Sequence, residues 1–222
     1  MNCVLITGAA GFIGSHTCLV LLNAGYKLYL LDDFSNSSPI AITKLAELSK
    51  LPKTKIQENL NLFQGDIRNK DLLEEIFKGA IAKGEQIQSV IHFAGLKAVR
   101  ESIEKPLTYW DINLVGSRTL LEAMEKNACK TIVFSSSATV YGNCTKKPIK
   151  EIDPINPINP YGSSKAAIEM LLADIAGCSD NICPYQSSSN GWKIARLRYF
   201  NPAGAHPSGK IGENPKNIPN NV

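Results

Sequence analysis

Short apolar runs alternate along this chain with longer amphipathic stretches, and the alternation has a regular rhythm. CVLIT at 3–7 is apolar and partly β-branched, which suits a strand buried on both faces. FIGSHTCLVLLNAG follows at once and reads as a helix stopping near Gly25. The same reading places strands at 2–7, 27–32, 60–64, 89–93, 130–136 and 193–199. Helices are expected over 12–24, 40–50, 69–83, 107–127 and 162–176. Strand–helix alternation of this kind predicts the α/β class: a doubly wound parallel sheet covered by helices on both faces.

The joints between these elements carry the candidate chemistry. TGAAGFIG, 7–14, lies between the first strand and the first helix, with Gly8, Gly11 and Gly14 three residues apart. Glycines there let backbone approach a pyrophosphate, and the helix N-terminus offers free amides and positive dipole charge. Asp32 ends the second strand, 18 residues after Gly14. A carboxylate at that place in the fingerprint accepts hydrogen bonds from an adenosine ribose and repels a 2′-phosphate, so it favours NAD over NADP.

PYGSSK, 160–165, sets Tyr161 and Lys165 four positions apart, one turn apart on a helix face. An ammonium beside a phenol favours the phenolate. Lowering a phenol from ~10 to ~7 takes about 4 kcal/mol. One cation at ~4 Å supplies about 4 kcal/mol at a surface-like dielectric. Lys165 could therefore come close to ionising Tyr161, with a nicotinamide's positive charge adding to it. Such a phenolate could take a hydroxyl proton from a sugar or alcohol while the nicotinamide takes the hydride.

Composition narrows the picture little. The chain has 222 residues, 44% of them apolar, and a net charge of +4. It is long enough for a sizeable core, and no basic run suggests nucleic acid. No apolar stretch is long enough to span a membrane, and a strand begins at Asn2, so neither a membrane anchor nor a signal peptide is expected. The six cysteines are scattered, without a C-x-x-C pair, and the three histidines are far apart. They read as reduced and mostly structural in a cytoplasmic protein, with no metal site expected. Cys178 and Cys183 share the polar connector 177–191 and could cross-link, which is the less favoured reading. The connector itself reads as lying away from the chemistry.

Three further segments fall at the carboxyl ends of strands: HFAGLK (92–97), FSSSATVYG (134–142) and RYFNPAGAHPSG (198–209). With TGAAGFIG, GDI (65–67) and NPYGSSK, they resemble the extended short-chain dehydrogenase/reductase family, the NAD-dependent epimerases and dehydratases. Within it the likeness is greatest to members that epimerise nucleotide sugars. The resemblance runs from residue 2 to 222.

The resemblance implies a role for each matching position. Phe12 and Ile13 meet the pyrophosphate. Asp32, Asp33, Phe34, Ser35, Asn36 and Ser37 form the adenosine-ribose loop, with Asp33 standing where relatives often have asparagine. Asp66 and Ile67 face adenine. Phe93, Ala94, Gly95, Leu96 and Lys97 line the cofactor, Asn113 contacts it, and Phe200 closes on the nicotinamide. Ser137, Tyr161 and Lys165 are catalytic and also touch the cofactor. Lys97, Ser137, Tyr161, Asn201 and Asn221 hold the nucleotide sugar. The implied activity is interconversion of UDP-glucose and UDP-galactose by transient oxidation at C4, with NAD as cofactor and a UDP-hexose as substrate.

The resemblance also implies an NAD-binding domain over 1–200 and the start of a substrate-binding region at 201–222, whose remainder the chain lacks. HPSGKIGENPKNIPNNV reads as an extended segment leaving the sheet. Pairing of two copies through helices 107–127 and 162–176 is a further expectation. Three rivals remain open: NAD binding without turnover, a simple alcohol dehydrogenase, and a nucleotide-sugar dehydratase. Ser137-Ala138-Thr139 disfavours the last, because it lacks the carboxyl groups that removing water across C5 and C6 requires.

Overall fold

The computed structural model describes residues 2–177, 185–187 and 190–213. They fall into two compact units, Met1–Ala94 with Asn201–Val222, and Gly95–Phe200.

The first unit is built on four parallel strands: β1 (Cys3–Thr7), β2 (Lys27–Asp32), β3 (Leu60–Gln64) and β4 (Ile87–His92). They stand in the order β3-β2-β1-β4. Every residue of β1 is buried, as its unbroken apolar run requires. Helices α1 (Phe12–Asn23), α2 (Pro39–Leu48), α3 (Lys53–Asn59) and α4 (Lys70–Ala82) connect the strands. Ser38 caps α2 by accepting from the Ile40 amide, with Pro39 at the first helical position. Asn69 caps α4 by accepting from the Leu72 amide at 3.1 Å. Register aligns the carboxyl ends. Thr7 lies opposite both Leu31 and His92, and Asp32 opposite Gln64. That alignment brings the glycine turn, Asp32, Asp66 and Phe93 to one end of the unit's sheet.

The second unit opens on α5 (Val99–Glu104), α6 (Pro106–Tyr109) and α7 (Gly116–Lys126). A π-helical stretch, Trp110–Val115, joins α6 to α7, so the predicted 107–127 helix is real but carries a bulge. Strands β5 (Thr131–Ser137) and β7 (Lys193–Tyr199) run parallel. Between them in sequence come a 3₁₀ turn, Ala138–Tyr141, and the long α8 (Pro160–Ala176).

All six predicted strands and five predicted helices are present, within a few residues of their expected bounds. Among the described residues, four elements were not foreseen: the 3₁₀ turn Ala138–Tyr141, α3, α5 and β6. α3 (KTKIQEN) has one apolar anchor, Ile56, and so shows no stripe. α5 is a turn and a half of mixed character. Strand β6 (Tyr185–Ser187) lies in the polar connector and pairs antiparallel with β7. The tail differs from expectation too. Residues 206–213 do not leave the sheet unit: Ile211 is only 4% exposed and sits in one core cluster with Ile42 and Leu45, and Lys210 pairs with Glu47. An isoleucine four residues after the Pro207 turn is the one apolar anchor in that stretch, too sparse a signal to read. Asn221, Cys178 and Cys183 lie outside the described residues. Among the described residues no helix is long and apolar enough to cross a membrane.

Cys3, Cys18 and Cys129 are buried thiols, and Cys144 is half-buried. Burial raises all three buried thiols, Cys129 to about 12. Burial hinders both ionisation and access, so among the described cysteines alkylation of the native protein should mark half-buried Cys144 before the other three. Peptide mapping should find Cys3, Cys18 and Cys129 labelled only after unfolding.

Candidate active site

The first unit carries a cradle for an anion. Helix α1 starts at Phe12 with Gly11 as N-cap and no side-chain cap, so its leading amides are left to solvent or a ligand. Gly14 is fixed by close packing: a Cβ there would collide with the Gly8 carbonyl oxygen and lie 3.1 Å from Ala9 backbone. Gly8 has φ +67, and its own Cβ would fall 2.7 Å from the Ala94 amide. Both glycines therefore hold the turn tight against its neighbours. Gly14→Ala should cost about 2 kcal/mol through backbone displacement, read as a lower Tm.

Asp32 binds that turn together. Its Oδ2 accepts from the Ala10 amide at 2.8 Å. Its Oδ1 accepts from the Phe34 amide at 3.0 Å and from Ser37 Oγ at 2.6 Å. A carboxylate has about four acceptor positions, so one remains for a ligand hydroxyl. Phe34 takes a left-handed φ of 56, bending the loop back over the sheet end. Asp33 accepts from Ser35 and turns to solvent. Asp66 receives Arg68, which holds its carboxyl below the usual range, and Ile67 is buried. Thr7 Oγ1 hydrogen-bonds His92 Nδ1 at 2.7 Å and accepts from the Ala94 amide at 3.3 Å. That pairing fixes where Phe93 and Ala94 leave β4. The tight turn, the uncapped helix and the spare acceptor on Asp32 fit a dinucleotide.

The second unit gathers the candidate catalytic groups. Asn159 accepts from the Gly162 amide at 2.8 Å and Pro160 is the first helical residue, so α8 begins just before Tyr161. A Cβ on Gly162 would meet the Thr139 carbonyl at 2.8 Å. Glycine thus lets α8 close on the turn after β5 and brings Tyr161 beside Ser137. Tyr161 is buried, with the Tyr109 ring 6.4 Å away edge-on. Lys165 is buried on the same helix face. Its Nζ donates to the Ser135 carbonyl at 2.9 Å and lies 6.0 Å from the Tyr161 ring centre.

Here the electrostatics depart from the sequence expectation. Burial pushes the Tyr161 hydroxyl above its ordinary range, and the opposing pull is a hydrogen bond from Ser137 rather than Lys165. Helical spacing puts both side chains on one face, but the lysine reaches for a strand carbonyl, so desolvation wins. Burial also lowers Lys165 to about 8, with Glu169 opposing the fall. Lys165 therefore keeps its charge at neutral pH and loses it in mild alkali. Nuclear magnetic resonance of ε-carbon-labelled lysine should show one lysine titrating near that pH, and Lys165→Met should remove that signal.

Asn113 sits in the π-helical stretch and clamps the loop after β4. Its Oδ1 accepts from the Leu96 amide at 2.8 Å, and its Nδ2 donates to the Leu96 carbonyl and to Ser164 Oγ. Gly95 passes so close that a Cβ would meet Asn113 Oδ1 at 2.9 Å. Lys97, Phe200 and Asn201 are exposed, Phe200 at 62%.

Sequence reasoning missed a buried network. Glu169 is fully buried, accepts from Ser136 Oγ at 2.5 Å and receives both Nε and Nη2 of Arg198. Arg198 Nη1 donates to Tyr141 Oη at 2.7 Å. The signal was available: Glu169 falls four residues after Lys165 and eight after Tyr161, on their face of α8.

A glycine turn between a parallel strand and its helix, with a buried serine, tyrosine and lysine at the ends of β5 and α8, defines a Rossmann-type protein of the short-chain dehydrogenase/reductase class. The doubly wound α/β fold read from the sequence is the one observed. More narrowly, the chain belongs to the family described as GDP-mannose 4,6 dehydratase, which matches residues 5–201. It is 46% identical over 219 residues to a UDP-glucose 4-epimerase of Bacillus subtilis, covering 99% of this chain and 58% of that protein. It is 48% identical over 219 residues to one of Cyamopsis tetragonoloba, covering 99% of this chain and 57% of that protein. The UDP-glucose 4-epimerase of Bifidobacterium longum, solved in complex with NAD+ and UDP, superposes with a TM-score of 0.83 at 42% identity over 98% of this chain and 59% of that one. The chain thus spans 57–58% of the length of these two curated relatives.

Proposed function

We propose that the chain binds NAD and with it inverts C4 of a UDP-hexose, interconverting UDP-glucose and UDP-galactose. The observation that carries this reading is the buried group of Tyr161, Ser137 and Lys165, set by α8 and the end of β5. The epimerase relatives, one of them solved with NAD+ and UDP, support it. Gly8, Gly11, Phe12, Ile13 and Gly14 would hold the pyrophosphate, Asp32 to Ser37 the ribose, and Asp66 and Ile67 the adenine. Phe93 to Lys97, Asn113 and Phe200 would line the nicotinamide end, with Ser137, Tyr161 and Lys165 against it. Lys97, Ser137, Tyr161, Asn201 and Asn221 would hold the UDP-sugar.

A C4–H bond is not acidic, so inversion needs transient oxidation. When bound, NAD supplies reversible hydride acceptance and a positive charge near the phenol. Under the positive charges of Lys165 and of the bound cofactor, Tyr161 would first lose its own proton to solvent, and as phenolate it would take the C4 hydroxyl proton and return it after the ketone has turned over. Ser137 donates a hydrogen bond to the oxygen that gains negative charge. Lys165 contributes its ammonium and orders the end of β5 through the Ser135 carbonyl. Dehydration is disfavoured because Ser137-Ala138-Thr139 offers no carboxyl group for it.

In this reading residues 1–200 form the NAD-binding domain and a substrate-binding region begins at 201. In this reading the protein acts in the cytoplasm. Ile103, Leu107 and Met170 are exposed apolar residues on α5, α6 and α8, Leu107 at 82%, and they support pairing with a second copy.

Incubation with UDP-galactose and chromatographic detection of UDP-glucose tests the reading. Product is expected. Protein that retains NAD but forms no product supports the narrower reading, dinucleotide binding without turnover.

A further inference from the structure

Ser137 Oγ has an unusual set of partners. It accepts from the Thr139 amide at 3.2 Å and from the Thr139 hydroxyl at 2.9 Å. A serine hydroxyl has two acceptor lone pairs and one proton. Both lone pairs are thus taken by one residue, and only the proton remains. The close approach of Gly162 to the Thr139 carbonyl sets the start of α8, and Tyr161 with it, against this turn, and the effect of Ser137 on Tyr161 is to favour the phenolate, as a donor does.

We infer that Thr139 is a positioning residue that fixes Ser137 as a one-way donor toward the Tyr161 oxygen and the reacting oxygen beside it. The inference rests on the functional reading above for the roles of Ser137 and Tyr161. Two features lie behind it. Ser137 caps the 3₁₀ turn that carries Thr139, so the two oxygens are held together by backbone geometry. The Thr139 carbonyl in turn accepts from the Gly142 amide at 3.2 Å, which keeps the turn closed. Donation into Ser137 also polarises its O–H bond, making it a stronger donor. A Ser137 without this partner could turn and accept from Tyr161, which would hold the proton on the phenol.

The other groups around Tyr161 are known. Lys165 and, a turn further, Glu169 share its helix, with Arg198 from β7 on Glu169. Tyr109 approaches from α6, its own hydroxyl bonded to the Ala98 carbonyl and Glu101. None of them contacts Thr139 Oγ1 in the hydrogen bonds described, so substitution there leaves them in place.

Thr139→Val keeps the shape and the backbone amide and deletes the hydroxyl. Resonances of ζ-carbon-labelled tyrosine, assigned with Tyr161→Phe, report the Tyr161 titration without substrate or turnover. Thr139→Val should raise the apparent Tyr161 pKa by about half a unit, as expected for losing one cooperative hydrogen bond. Thr139→Ser should restore it. In a Ser137→Ala background Thr139→Val should produce no shift, because the effect passes through the serine. An unchanged titration in Thr139→Val, or an equal shift in the Ser137→Ala background, overturns the inference. Absence of UDP-glucose formation would count against the functional reading alone, since the titration is read independently of it.

Discussion

Tyr161→Phe should reduce turnover of UDP-galactose by about 10² to 10⁴, the usual worth of a positioned acid–base group. The substitution deletes one hydroxyl and nothing else. The ring stays packed edge-on against Tyr109 at 6.4 Å, so Tm should barely move. NAD retention should also survive, because the glycine turn and Asp32 lie in the other unit. Steady-state rates with a parallel thermal melt make the check. A Tyr161→Phe protein with near-native turnover would remove the tyrosine from the chemistry.

The second large effect falls on stability. Glu169 and Arg198 pair with their side chains 0% and 8% exposed, at 2.7 Å. Glu169→Gln leaves the Arg198 guanidinium buried without a counter-charge. Breaking one side of a buried pair costs about 3–5 kcal/mol, or roughly 10 °C of Tm for a chain of this size. Adding Arg198→Met to Glu169→Gln should recover much of the loss, because the penalty is the stranded charge rather than the missing bond. Thermal melts of the single and double variants settle this. A double variant as unstable as the sum of its singles would mean that the two residues act separately.

Burial and local chemistry decide which features the sequence disclosed and which it hid. Strand β3 has no fully buried residue and β7 shows only alternation, whereas β1, β2, β4 and β5 announce themselves because they are buried on one or both faces. β6 does not, because three residues paired on one side need no apolar signature. The start of α8 was legible in Asn159-Pro160, a cap followed by a proline. The bulge at Trp110–Val115 was not, since it depends on how Asn113 reaches the Leu96 backbone. Tyr161 and Lys165 were legible from helical spacing. Their electrostatics were not, because spacing fixes a face but not where a long side chain ends. Lys165 ends on the Ser135 carbonyl, and burial then decides the phenol's proton affinity. Asp32 was legible as a carboxylate at a strand end, while its three bonds into the glycine turn and the following loop were visible only in the fold.

The central claim is that C4 of the sugar is oxidised and reduced within one site, with Tyr161 carrying the proton. UDP-galactose deuterated at C4, incubated with the protein, tests it most directly by mass spectrometry of the UDP-glucose formed. The account predicts that the product keeps its deuterium at C4, because the hydrogen leaving that carbon returns to it without meeting water. Product that has exchanged the label for solvent hydrogen would contradict it.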